Sequence, residues 1–121
     1  MYPPIFETAT ASDAVLATLG SRPTRLYTLG DVPQDVDQPY AVWQTIGGAP
    51  KNYLDGRPDI DLFTLRVRVY GATVDSIRQV AEALRDAVEP QAHIKRWGSE
   101  RKDTETDHYC LSFDLDWQVE R

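Results

Sequence analysis

A chain of 121 residues with 41% hydrophobic and 26% charged positions has the balance of one globular domain, residues 1–121. No apolar run approaches the ~18 residues of a membrane span, the first residues lack the pattern of a secretion signal, and a lone cysteine, Cys110, excludes an internal disulfide. A net charge of −6 argues against a protein that grips nucleic acid through clustered phosphate contacts, though not against DNA passing nearby.

Pro3 and Pro4 suit a first helical turn, and Ser12-Asp13 ahead of "AVLATLG" predicts a short helix. Val15, Leu16 and Leu19 form its apolar stripe and Gly20 ends it. "TRLYTLG" (24–30) is compatible with a short strand. The next segment, "DVPQDVDQP", reads as a loop from its two prolines and carries Asp31, Asp35 and Asp37 with no basic residue. "YAVWQTI" (40–46), rich in aromatic and β-branched residues, predicts a strand. Residues 46–61, "IGGAPKNYLDGRPDID", then read as a loop of roughly a dozen residues, where a tight hairpin needs about two to five. A loop that long in a small domain is more often functional than decorative.

In "DLFTLRVRVYG" (61–71), Phe63, Leu65, Val67 and Val69 alternate with Thr64, Arg66 and Arg68, the period of a strand with one buried face. The period changes to 3.6 in "TVDSIRQVAEALRDAV" (73–88), where Val74, Ile77, Val80, Ala81, Leu84 and Val88 share a face. Thr73 or Asp75 caps this helix, Pro90 forbids its continuation, and Arg78 and Glu82 form an outward i,i+4 pair. "AHIKRW" (92–97) reads as a shorter strand and "GSERKDTETD" (98–107) as a charged connection. The last strand alternates Tyr109, Leu111, Phe113, Leu115, Trp117 and Val119 with His108, Cys110, Ser112, Asp114, Asp116 and Gln118. The expected fold is α+β: a mainly antiparallel four- to five-stranded sheet with two helices packed on one face.

Residues with chemical potential are few. Cys110 and His108 share the polar face of the last strand with carboxylates, a set compatible with a nucleophile or a metal. Strand alternation alone puts any polar run on one side, however, so a solvated or partner-facing surface is the favoured reading and no catalytic, metal or cofactor residue is assigned. If their strands are neighbours, Arg66 and Arg68 face Asp114 and Asp116 as cross-strand ion pairs. The loop matches neither a calcium loop nor a phosphate loop. Trp43, Trp97 and Trp117 read as core or interface anchors.

The stretch "QPYAVWQTIGGAPKNYLDGRPDIDLFTLRVRVYGATVDSIRQVAEALRDAVE" (38–89) resembles the tail-terminator, or tail-completion, proteins of long-tailed bacteriophages. The resemblance rests on the strand from Pro39 to Ile46, a Gly-rich bend, Leu54-Asp55-Gly56, the alternating strand ending in Tyr70-Gly71, and the helix "IRQVAEALRDAV". The short N-terminal helix and the final "SFDLDWQV" strand extend it over nearly the whole chain.

That resemblance implies a virion structural protein with no enzymatic activity and no cofactor. It implies a ring, commonly of six subunits, at the head-proximal end of the tail tube in the neck of the virion. Such a ring, assembled in the host cytoplasm, ends tube growth, offers a surface to head–tail connector proteins and lets DNA through its lumen without sequence-specific binding. Lys51, Asn52, Tyr53, Leu54, Asp55, Gly56 and Arg57 of the loop, with Arg66, Arg68, Asp114 and Asp116, are the expected contacts to a neighbouring subunit or to the tube protein. Another neck or baseplate component of similar fold is the alternative, and a binding module unrelated to phage comes after it.

Overall fold

The computed structural model describes residues 2–51 and 56–121. Helices α1 (Ile5–Thr10) and α2 (Asp13–Leu19) lead into β1 (Leu26–Thr28), β2 (Tyr40–Pro50) and β3 (Ile60–Gly71). Helix α3 (Val74–Val88) then precedes β4 (Ala92–Lys102) and β5 (Tyr109–Glu120). The five strands form one sheet in the order β1-β2-β3-β5-β4. β1 runs parallel to β2, and the other neighbours are antiparallel. The sheet is therefore mixed, within the mainly antiparallel α+β class expected from the sequence, with three helices where two were expected.

Each element has a local cause. The Ser12 hydroxyl accepts from the Val15 N–H at the start of α2, and Val15 and Leu19 are fully buried. At the start of α3 it is Thr73, not Asp75, that accepts from the Ser76 N–H. Ile77, Val80, Ala81, Leu84 and Val88 of α3 are buried in one core with Leu65, Val67 and Val69 of β3 and Leu111, Phe113, Leu115 and Trp117 of β5. Ile5, Ala9, Val15 and Leu19 join the same cluster, so the helices cover one face of the sheet and leave the other open. β3 and β5 pair over their full lengths, from Ile60 opposite Glu120 to Gly71 opposite Tyr109, and form the sheet's centre.

The loop read over residues 46–61 is shorter than expected. β2 continues through Gly47, Gly48, Ala49 and Pro50, which pair with Thr64, Phe63, Leu62 and Asp61, and the Lys51 N–H donates to the Ile60 carbonyl. A register shift between Thr45 and Gly47 absorbs the extra residue Ile46. Gly and Pro are poor strand formers, which hid this extension. They are tolerated because β1 pairs only with Ala41, Val42 and Trp43, leaving the other edge of β2 open beyond them. Gly48 also lies so close to β3 that a Cβ there would stand 2.8 Å from the Leu62 carbonyl oxygen.

β4 likewise outruns its expected end at Trp97, continuing to Lys102 through register shifts between Ile94 and Arg96 and between Trp97 and Glu100. The connection between β4 and β5 is a tight turn in which the Asp107 N–H donates to the Asp103 carbonyl and the Asp103 N–H to the His108 carbonyl. Arg78 does not pair along its helix with Glu82. Its guanidinium reaches across to Glu100 of β4 at 2.8 and 2.9 Å, tying α3 to the sheet edge. No helix among the described residues is long and apolar enough to cross a membrane.

Candidate functional site

The open face of the sheet gathers the polar positions of β3, β5 and β4. Arg66 stands directly opposite Asp114 and holds it in a forked pair, Nε to Oδ1 at 2.8 Å and Nη2 to Oδ2 at 3.1 Å. Arg96 approaches the same carboxylate at 3.5 Å. Asp114 is only 6% exposed, so these guanidiniums replace its water. The hydrogen bonds from Arg66 hold the Asp114 carboxyl below the usual aspartate value, against the upward push of burial.

The other expected ion pair does not form. Asp116 stands opposite Thr64, whose hydroxyl donates to it at 2.7 Å, with His93 and Lys95 at 3.9 and 4.0 Å. Arg68 stands opposite Ser112 and donates to Gln44 of β2 at 2.6 Å. One register position decides both outcomes: Arg66 takes Asp114, which leaves Arg68 beyond the carboxylates. Arg96 escaped the sequence reading because the register shifts of β4 change which residues share a face. A basic run on an edge strand was the available signal.

Beside this network, a cavity of about 450 Å³ opens at one end of the sheet, lined by Tyr40, Tyr70, Arg68, Arg101, His108 and Cys110 among others. Tyr40 and Tyr70 stack across β2 and β3 with ring centroids 5.0 Å apart. Burial pushes the Cys110 thiol up, with Arg101, Tyr70 and Arg68 opposing it more weakly. A thiol raised by burial is the reverse of an activated nucleophile. His108 precedes β5 rather than lying within it. Among the described residues no group of three or more His, Cys, Asp or Glu side chains is placed to hold a metal ion.

At the hairpin between β2 and β3, Lys51, Gly56 and Arg57 are exposed, while Asn52, Tyr53, Leu54 and Asp55 lie outside the described residues. Arg121 braces the β3 side of this hairpin, donating from Nε and Nη2 to Asp61 at 3.0 and 2.9 Å and from Nη1 to the Pro58 carbonyl. Of the three tryptophans, Trp117 is in the core and Trp43 packs partly against it. Trp97 is 46% exposed on β4, its ring tilted against Phe113 with centroids 5.2 Å apart.

A family model described as "Tail completion protein gp17" matches residues 3–120. A search of curated proteins finds no match. Among solved structures, the fold is similar to a chain in the virion of a native gene transfer agent particle. That match has a TM-score of 0.70 and 15% identity, covering 97% of this chain and 92% of the other. It is also similar to the gp17 protein of bacteriophage SPP1, with a TM-score of 0.56 and 12% identity, covering 97% of this chain and 86% of that one.

Proposed function

Because the chain belongs to the tail completion protein gp17 family and is thus a structural protein of a phage tail, we propose that it forms a ring at the head-proximal end of the tail tube, commonly of six subunits. The ring ends tube polymerisation and offers the surface on which head–tail connector proteins dock. The single observation that carries this reading is the family match over residues 3–120. The structure is compatible with it. One sheet face is covered by helices and the other is open and polar, which suits a subunit that meets neighbours on more than one surface.

In this reading Lys51, Asn52, Tyr53, Leu54, Asp55, Gly56 and Arg57, the segment joining β2 to β3, contact the neighbouring subunit or the tube. Arg66, Arg68, Asp114 and Asp116 shape the open face that borders this contact. DNA crosses the lumen without being held, in keeping with a chain of net charge −6. The protein works without a cofactor, and its partners are copies of itself, the tube protein and the neck proteins.

The test is absolute mass by light scattering over a range of concentrations, with negative-stain images of the protein alone and mixed with isolated tail tubes. Closed rings, free or seated on tube ends, are the expected result. A protein that stays monomeric and leaves tube ends bare would overturn the proposal.

A further inference from the structure

The two edges of the sheet differ in the charges they carry. β1 and β4 are the two edge strands. The connector from β1 to β2, residues 29–39, leaves the end of the edge strand β1 and returns to the start of β2, because the two strands run parallel with Leu26 opposite Ala41 and Thr28 opposite Trp43. Its Asp31, Asp35 and Asp37 are all exposed, and none pairs with a cation among the described residues. The β4 edge is the reverse. It carries Lys95, Arg96, Arg101 and Lys102 against one carboxylate of its own, Glu100, which Arg78 holds. Lys95 and Arg96 lie 4.0 and 3.5 Å from Asp116 and Asp114, Lys102 lies 3.0 Å from the exposed Asp107, and Arg101 makes no ion pair among the described residues. Arg101 and Lys102 also line the cavity of about 450 Å³, together with Arg68 and one carboxylate, Asp103.

Each edge also exposes one large apolar side chain, Leu29 at 57% on the β1 side and Trp97 at 46% on β4. Charges at a rim steer and orient a contact, whereas buried apolar anchors hold it. The two edges are thus complementary in both respects, and a single copy cannot bring them together because β2, β3 and β5 lie between.

We propose that the acidic connector of one copy docks on the basic β4 edge of the next. Asp31, Asp35 and Asp37 face Arg101, Lys102 and the cavity they line, and Leu29 packs against Trp97. The contact is head to tail, so repeating it generates a closed ring or, if the rotation does not close, a filament. It rests on the ring reading and supplies the lateral surface that reading lacks. The docking is through side chains: the two register shifts in β4 spoil its free edge as a template for pairing a straight strand.

Two charge-reversed proteins test it, one with Asp31→Lys, Asp35→Lys and Asp37→Lys, the other with Arg101→Glu and Lys102→Glu. All five positions are exposed, and folding of both proteins is checked by circular dichroism and thermal melting. At low ionic strength each protein alone should assemble about tenfold or more weakly than the wild type. Mixed in equal amounts they should assemble again, since each then offers the edge that the other's reversed surface accepts. Assembly is scored by light scattering and by images with tail tubes.

Single variants that assemble like a normally assembling wild type would overturn this inference and leave the ring intact. The same holds for mixtures that fail to recover. That result would mean that the β4 cations only guard an edge strand against aggregation. A wild type that never assembles, alone or on tubes, would overturn the ring reading and the inference together.

Discussion

Removing the guanidinium from Asp114 and removing the carboxylate from Arg66 are not equivalent changes. Asp114 is 6% exposed, whereas the Arg66 side chain keeps 31% of its surface in water. Arg66→Ala therefore leaves a buried carboxylate with only the longer contact from Arg96, and should cost roughly 2–3 kcal/mol in urea unfolding. Asp114→Asn lets both arginines hydrate and keeps one acceptor, so about 1 kcal/mol is expected. The pair also sets a pH dependence. Asp114 has a folded pKa held below the ordinary aspartate value, so its contribution is complete above about pH 4 and is lost as the pH falls through the lower folded value. The stability gap between wild type and Asp114→Asn should narrow in that acidic window. A gap that stays constant from neutral pH down to acid unfolding would show that the carboxylate is not the stabilising group.

At the scale of elements, the tightest joint is where β3 hands over to α3. A Cβ on Gly71 would lie 2.5 Å from the Ser76 Oγ and 2.9 Å from the Ile77 Cγ2, so only glycine lets the strand end this close to the first turn of the helix. Gly71→Ala should force the two apart and destabilise the fold by about 1–3 kcal/mol in thermal or chemical unfolding. Adding Ser76→Ala removes one of the two clashing atoms and should recover part of the loss. Equal stability of the single and double variants would place the strain elsewhere. This joint was partly legible in the sequence: Tyr70-Gly71 ends an alternating strand and Thr73 opens an amphipathic helix. The contact distance was not, because it depends on how α3 lies across β3 and β5. The same distinction explains the misplaced strand ends. Gly47, Gly48 and Pro50 argue locally for a loop, and only pairing with Asp61–Thr64 makes them strand.

For the molecule as a whole, no described residue between Lys51 and Ile60 belongs to the buried core. Replacing residues 52–59 by Asn-Gly keeps the closing bond from the Lys51 N–H to the Ile60 carbonyl and should leave a folded monomer with near-normal melting. The proposed tip contacts would be gone, so capped tube ends should disappear from negative-stain images. Normal capping by this shortened protein would exclude the tip from the tube and neighbour contacts.

The alternating strands, the amphipathic α3 and the α+β class follow from the sequence alone, since the side-chain period of a segment is set within the segment. So does the family resemblance, which rides on that same order of elements. Pairing is a different matter. Whether Arg66 or Arg68 reaches Asp114, whether Arg78 turns to Glu82 or to Glu100, and which edge faces outward depend on strand order and register. Those are settled by residues tens of positions apart competing for one buried face, with a shift of one position exchanging every partner. Only the tertiary structure could place the acidic connector and the basic β4 strand at opposite sides of the sheet, because β5, last in the chain, inserts between β3 and β4.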